Sequence, residues 1–181
     1  NGLLVWAADQ LFVLEQLTLL NSQLASDYYA SMDVQRVMSL GYSYGGATTY
    51  FSAWQDARII ASVNLDGGVW RGEDKKINTP YLYVQTQDPY HLFVFDNNSA
   101  DSYHVMLAKP IDHGAFADNI LFWNWDYPGS NDWQISNGQA VYFSTIELVN
   151  EFFMKYYQGD SAPMLDHSEQ RPEWMTLTPY F

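Results

Sequence analysis

The sequence predicts an α/β fold built on a mostly parallel sheet, and three observations carry that expectation. Its strand-like runs, such as Ile59–Leu65 and Tyr81–Gln85, are short and apolar through their length, as in strands covered on both faces. These runs alternate with longer stretches of helical periodicity. The 181 residues are 48% apolar and 17% aromatic, enough for a packed core and too much for a disordered chain.

In chain order, residues 7–24 space Leu11, Val13, Leu14, Leu17, Leu20 and Leu24 at helical steps, which predicts an amphipathic helix. Asp27 to Met32 is a connector, and Val34 to Leu40 is a short buried strand ending at Gly41. The small residues Gly45 to Thr49, followed by Tyr50, Phe51 and Trp54, read as a second helix that starts against something close. Ile59–Leu65 is the next strand, closed by Asp66-Gly67-Gly68. After a charged loop, Pro80 opens the strand Tyr81–Gln85 and Asp88-Pro89 stops it. Tyr103 to Leu107 is a fourth strand, and Asp112 to Asn137 is a long irregular stretch rich in Trp and Asn. Gln139 to Tyr157 is a last helix, with Val141, Ile146, Val149, Phe152 and Phe153 on its buried side. Residues 1–158 form the compact part, and 159–181, punctuated by Pro163, Pro172 and Pro179, form an extended arm.

Charge and composition exclude several classes of function. With 21 acidic against 8 basic residues, the net charge of -13 disfavours nucleic acid and anionic membrane surfaces, both of which are bound through Lys and Arg. No cysteine is present, which removes disulfides and thiolate zinc sites. Asp96 to Asp101 lacks the glycine and the closing Glu of a calcium loop and reads as a solvated turn, so no cofactor or metal is expected. No stretch reaches the roughly 20 apolar residues of a membrane span. Asn97-Asn98-Ser99 fits a glycosylation acceptor, which matters only on secretion from a eukaryote.

Chemistry enters at Gly41-Tyr42-Ser43-Tyr44-Gly45, which fits G-x-S-x-G, the nucleophile elbow. A strand precedes it and a small-residue helix start follows, as an elbow requires. A serine hydroxyl needs a base to take its proton and an acid to orient that base. On such folds the order is Ser, acid, His, each past the end of a strand. His113, just beyond the fourth strand, stands where the base belongs. His104 lies within a strand, His91 in an irregular segment, and His167 in the proline-rich tail. Asp66 and Asp88 each end a strand after the elbow helix, and spacing does not choose between them.

Three segments together resemble a known family: Gly41-Tyr42-Ser43-Tyr44-Gly45-Gly46-Ala47-Thr48, Asn64-Leu65-Asp66-Gly67, and His113 followed by Phe116-Ala117-Asp118. They are similar to the platelet-activating-factor acetylhydrolase group, an α/β-hydrolase branch close to the dienelactone hydrolase-like esterases. The resemblance spans residues 7–120 and includes the helix from Asp9 to Leu17. It implies an α/β-hydrolase fold, a catalytic set of Ser43, Asp66 and His113, and demotion of Asp88. The implied activity is hydrolysis of carboxylic esters through an acyl-enzyme, with short-acyl lipid esters among the substrates. The backbone N–H of Tyr44 would supply one oxyanion donor. The aromatic run from Leu121 to Pro128, with Trp133, has no counterpart in the resemblance and could line a substrate site or an interface.

An α/β-hydrolase has about four strands before its elbow strand, whereas only one helix and a short lead-in precede Ser43 here. The expectation is therefore the C-terminal part of one domain, with the N-terminal half as a separate or missing segment. The chain opens without Met, at Asn1-Gly2-Leu3-Leu4, which fits a removed leader or a larger lost piece; a lean toward export rests on that start and the acidic, aromatic surface. The competing reading is a binding or structural module on a hydrolase scaffold that has lost catalysis.

Overall fold

The computed structural model describes residues 2–86, 89–121 and 132–181. Helix α1 (Gly2–Ser22) leads through turns to strand β1 (Val37–Tyr42), helix α2 (Tyr44–Gln55) and strand β2 (Ile59–Leu65). Strand β3 (Tyr81–Gln85), the helical turn α3 (Phe93–Asp96) and strand β4 (Ser102–Leu107) follow. Two 3-10 turns, His113–Phe116 and Asp118–Leu121, precede the long helix α4 (Asp132–Gln158). The chain closes with the short helix α5 (Pro163–Asp166) and strand β5 (Met175–Tyr180).

Spatial order in the sheet follows chain order, β1-β2-β3-β4-β5. The first four strands are parallel, and β5 returns antiparallel along β4 from Ser102↔Tyr180 to Leu107↔Met175. Successive residues of a strand point to opposite faces, and β3 displays this directly. Leu82 and Val84 join Ala61, Val63 and Val105 under Val141, Leu148 and Phe152 of α4. Tyr81 and Tyr83 join Tyr50 and Phe51 of α2, with Leu3 and Ala7 of α1, on the other face. The tail after 158 is tied in: Met164, Leu165 and Met175 are buried in the α4-side core, and Tyr180 stacks on Phe95 at 4.3 Å.

Two expectations need correction. The strand before the elbow was expected to be buried, but β1 is the edge of the sheet. Met38 and Leu40 pair in register with the fully buried Ala61 and Val63, yet are 37% and 51% exposed, because the α4-side covering stops at β2. The first helix starts at Gly2 and ends at Ser22, and its apolar residues are not confined to one stripe. Leu3, Ala7 and Leu14 are buried and Leu11 packs toward α2, whereas Phe12, Val13, Leu17 and Leu20 are exposed. Polar ties help seat α1: Gln10 accepts from the Ser52 hydroxyl, and Glu15 pairs with Arg58. Contrary to the expectation that no stretch is long and apolar enough to cross a membrane, α1 is so by length and composition, although Asp9, Gln10, Glu15 and Gln16 interrupt its apolar pattern.

Candidate active site

β1 delivers Ser43 to the top of the sheet. Its N–H donates to the Leu65 carbonyl at 2.8 Å, extending the β1–β2 ladder, and its own carbonyl accepts from Ala47 N–H at 3.1 Å as α2 begins. One residue must therefore turn the chain from strand into helix, and Ser43 does so at φ 56°, ψ -124°, a conformation L residues avoid. Gly41 is required by this turn, because a Cβ there would fall on the backbone of Gly45 and Gly46. Gly45 faces open space, so its place in the motif is not explained by crowding.

β2 delivers Asp66 in the same manner. Its N–H donates to the Val84 carbonyl at 2.7 Å, the last rung toward β3, and the chain then turns at φ 55°. Asn64 clamps this turn with both ends of its amide, accepting from Gly67 N–H and donating to the Gly67 carbonyl, each at 2.8 Å. Tyr83 adds a second donor to that carbonyl at 2.7 Å. A Cβ on Gly67 would overlap the Ser43 carbonyl and Ala47 N, so the acid's turn is packed directly beneath the elbow.

The third side chain comes from beyond β4. Asp112 caps the 3-10 turn by accepting from Gly114 N–H at 2.9 Å. Tyr42, one residue before the serine, donates its hydroxyl to the His113 carbonyl at 2.8 Å, with its ring 4.8 Å from the imidazole. His113 Nε2 lies 3.0 Å from Ser43 Oγ, and His113 Nδ1 lies 2.8 Å from Asp66 Oδ2. Asp66 is 3% exposed, and Thr86 gives it two further donors: N–H to Oδ1 at 3.0 Å and O–H to Oδ2 at 2.6 Å. Three donors on one buried carboxyl replace the water that an ionised carboxylate would otherwise hold. Since an ionised carboxylate only accepts, the proton belongs on Nδ1, which leaves Nε2 free to accept from the serine hydroxyl.

Ser43, Asp66 and His113 are thus brought together, and Tyr44 stands at the first position of α2, where a helix leaves backbone N–H groups without intrahelical partners. The other histidines are engaged elsewhere. His104 is buried and bonded to Gln85 Oε1 at 2.7 Å, with burial pushing its pKa down to about 4. His91 packs edge-on against Trp70, and burial lowers its pKa against the opposing pull of Glu73. His167 is exposed beside Glu169. Asp88, the run from Phe122 to Pro128 and the Trp133 side chain lie outside the described residues. The polar segment after Asp96 is held by protein contacts, Asn97 to the Glu73 carbonyl and Asn98 to the Thr79 carbonyl. Among the described residues no cluster of His, Asp or Glu is placed to hold a metal ion.

Sequence reasoning missed Thr86 and the supporting part played by Tyr42. Thr86 has no local signal, since it reaches Asp66 only through the pairing of β2 with β3. Tyr42 was visible as a variable position of the elbow, but its partner is 71 residues away.

No family model matches the chain, and no curated protein matches it. Among solved structures it is similar to the ferulic acid esterase from Streptomyces cinnamoneus, with a TM-score of 0.67 at 20% identity. The match covers 95% of this chain and 53% of that one, so this chain spans about half the esterase's length. With the mostly parallel sheet and its flanking helices, the likeness gives the fold class as part of an α/β-hydrolase fold.

Proposed function

We propose that this chain carries the nucleophile, base and acid of a serine hydrolase that cleaves carboxylic esters through an acyl-enzyme. The observation that carries the reading is the continuous relay from Ser43 Oγ to His113 Nε2 at 3.0 Å and from His113 Nδ1 to Asp66 Oδ2 at 2.8 Å. Ser43 Oγ attacks the ester carbonyl while His113 takes its proton, and Asp66 holds the imidazolium that forms. The tetrahedral oxyanion is met by the N–H of Tyr44. Collapse expels the alcohol, which takes the proton from His113 and leaves Ser43 acylated. Water, deprotonated by the same histidine, then releases the acid and restores the serine.

The substrate class we favour is short-acyl esters, lipid esters included, on the resemblance to the acetylhydrolase group. The fold shared with a protein named as a ferulic acid esterase adds ferulate esters to the panel worth assaying. The free edge of β1 and the outer face of α1 are proposed to carry further strands and a helix of the same domain. Their exposed Met38, Leu40, Phe12 and Val13 support this, as does an esterase of nearly twice the length. A native, active species with an intact mass of only 20.9 kDa would overturn that part of the proposal.

Labelling with a fluorophosphonate probe tests the enzyme reading. The full-length protein should label, and Ser43→Ala should not; a folded protein that never labels is a scaffold without catalysis. Asp66→Asn should lower kcat on the order of 10⁴-fold, as the loss of a triad acid does elsewhere. If Asp88→Asn has that effect instead, Asp88 is the acid and the assignment of Asp66 is overturned.

A further inference from the structure

Thr86 sits immediately after β3, the neighbour of the strand that carries Asp66, and its side chain is buried. Its hydroxyl has a specific target, Asp66 Oδ2 at 2.6 Å, the same oxygen that His113 Nδ1 meets at 2.8 Å. Its N–H holds the other oxygen, Oδ1, at 3.0 Å. The two donors of one residue fix the carboxylate plane, and Oδ2 is thereby aimed at the imidazole while sharing its charge between two donors. We propose that Thr86 is a positioning residue for the hydrolytic reaction, setting both the orientation of Asp66 and the strength with which Asp66 holds the His113 imidazolium. This rests on the triad reading above and deepens it.

A hydrogen bond to a carboxylate stabilises the charged acceptor and draws on its negative charge. Removing the Thr86 hydroxyl leaves Oδ2 with the imidazole as its side-chain donor. The imidazolium is then held more tightly, and the acid limb of the pH profile moves to higher pH. That limb belongs to the Asp66–His113 pair as a unit. Tyr83 and Tyr90, which act on Asp66 from β3 and the loop after it, do not titrate in this range, since burial raises both. The Asp112 carboxylate next to His113 is occupied by Gly114 N–H.

The test compares Thr86→Val, Thr86→Ser and wild type in the full-length protein, with a chromogenic short-acyl ester assayed across pH. Val keeps the shape and removes the donor; Ser keeps the donor and removes the methyl. A positioning role predicts that Thr86→Val, with the carboxylate plane held by the residue 86 N–H alone, loses about tenfold to a hundredfold in kcat with little change in KM, the loss of alignment outweighing the firmer hold on the imidazolium. Its acid limb should also shift upward, and Thr86→Ser should restore both. A role in packing alone predicts the reverse order, with Val tolerated and Ser impaired, and overturns the proposal. Should Thr86→Val fail to fold, Thr86→Ala is read in the same way. A wild type that labels and turns over, with a Val variant of unchanged kcat and limb, overturns the role of Thr86 alone. A wild type that neither labels nor turns over overturns the hydrolase reading, and this proposal with it.

Discussion

At the scale of single residues, the site holds its two strained positions in place by backbone rungs. Ser43 and Asp66 both have positive φ, and each N–H is the final bond of a strand ladder. Strain of this kind costs on the order of 1–3 kcal/mol for a residue with a Cβ. Ser43→Gly and Ser43→Ala should therefore both abolish labelling yet differ in stability, with the Gly variant more stable by about 1 kcal/mol in urea unfolding. Equal stabilities would mean that the turn is not strained. Gly67 makes the converse case, since any side chain there must displace the Ser43 carbonyl. Gly67→Ala should lose about 1–3 kcal/mol and most activity together, read by thermal melting and probe labelling. That Ser43 and His113 would be brought together was legible, because motif and chain order point to both. The preference for Asp66 over Asp88 came only from the resemblance, since the end of any strand in this fold is a plausible seat for an acid.

At the scale of elements, β2 and β3 could be read to the residue from their apolar runs, because central strands carry an unmixed signal. β1 and α1 were misjudged for a common reason. Periodicity reports which residues are apolar, not whether a neighbour exists to cover them. His104 on β4 lends this core a defined pH response. Its pKa is about 4 when folded, against an ordinary 6.5, so between those values the unfolded chain binds a proton that the folded chain does not. Its contribution to stability is complete above about pH 6.5, falls as pH drops toward 4, and changes no further below. His104→Gln retains a donor for Gln85 and should flatten the melting-temperature curve across that window; parallel curves for the two proteins would refute the assignment.

At the scale of the whole molecule, the apolar surface is unevenly placed. Phe12, Val13, Leu17 and Leu20 of α1 and Leu40 of β1 are exposed, with no covering layer among the described residues, whereas α4 and α5 cover the central strands. Exposed apolar surface beside an open strand edge drives association. The 181-residue chain prepared alone should therefore self-associate, and Leu40→Lys should weaken this in sedimentation or light scattering. The net charge of -13 opposes association, so added salt should strengthen it. The two rims of the sheet also differ in kind. β5, at the far rim, contains Pro179, which has no N–H to donate, while no proline interrupts β1. A sheet that can be prolonged from one rim only does not polymerise. Two copies joined along β1 across a two-fold axis bury that edge in both, so among the described strands the growth step that would make a fibre has no second proline-free rim at which to begin, and light scattering should plateau at twice the monomer mass.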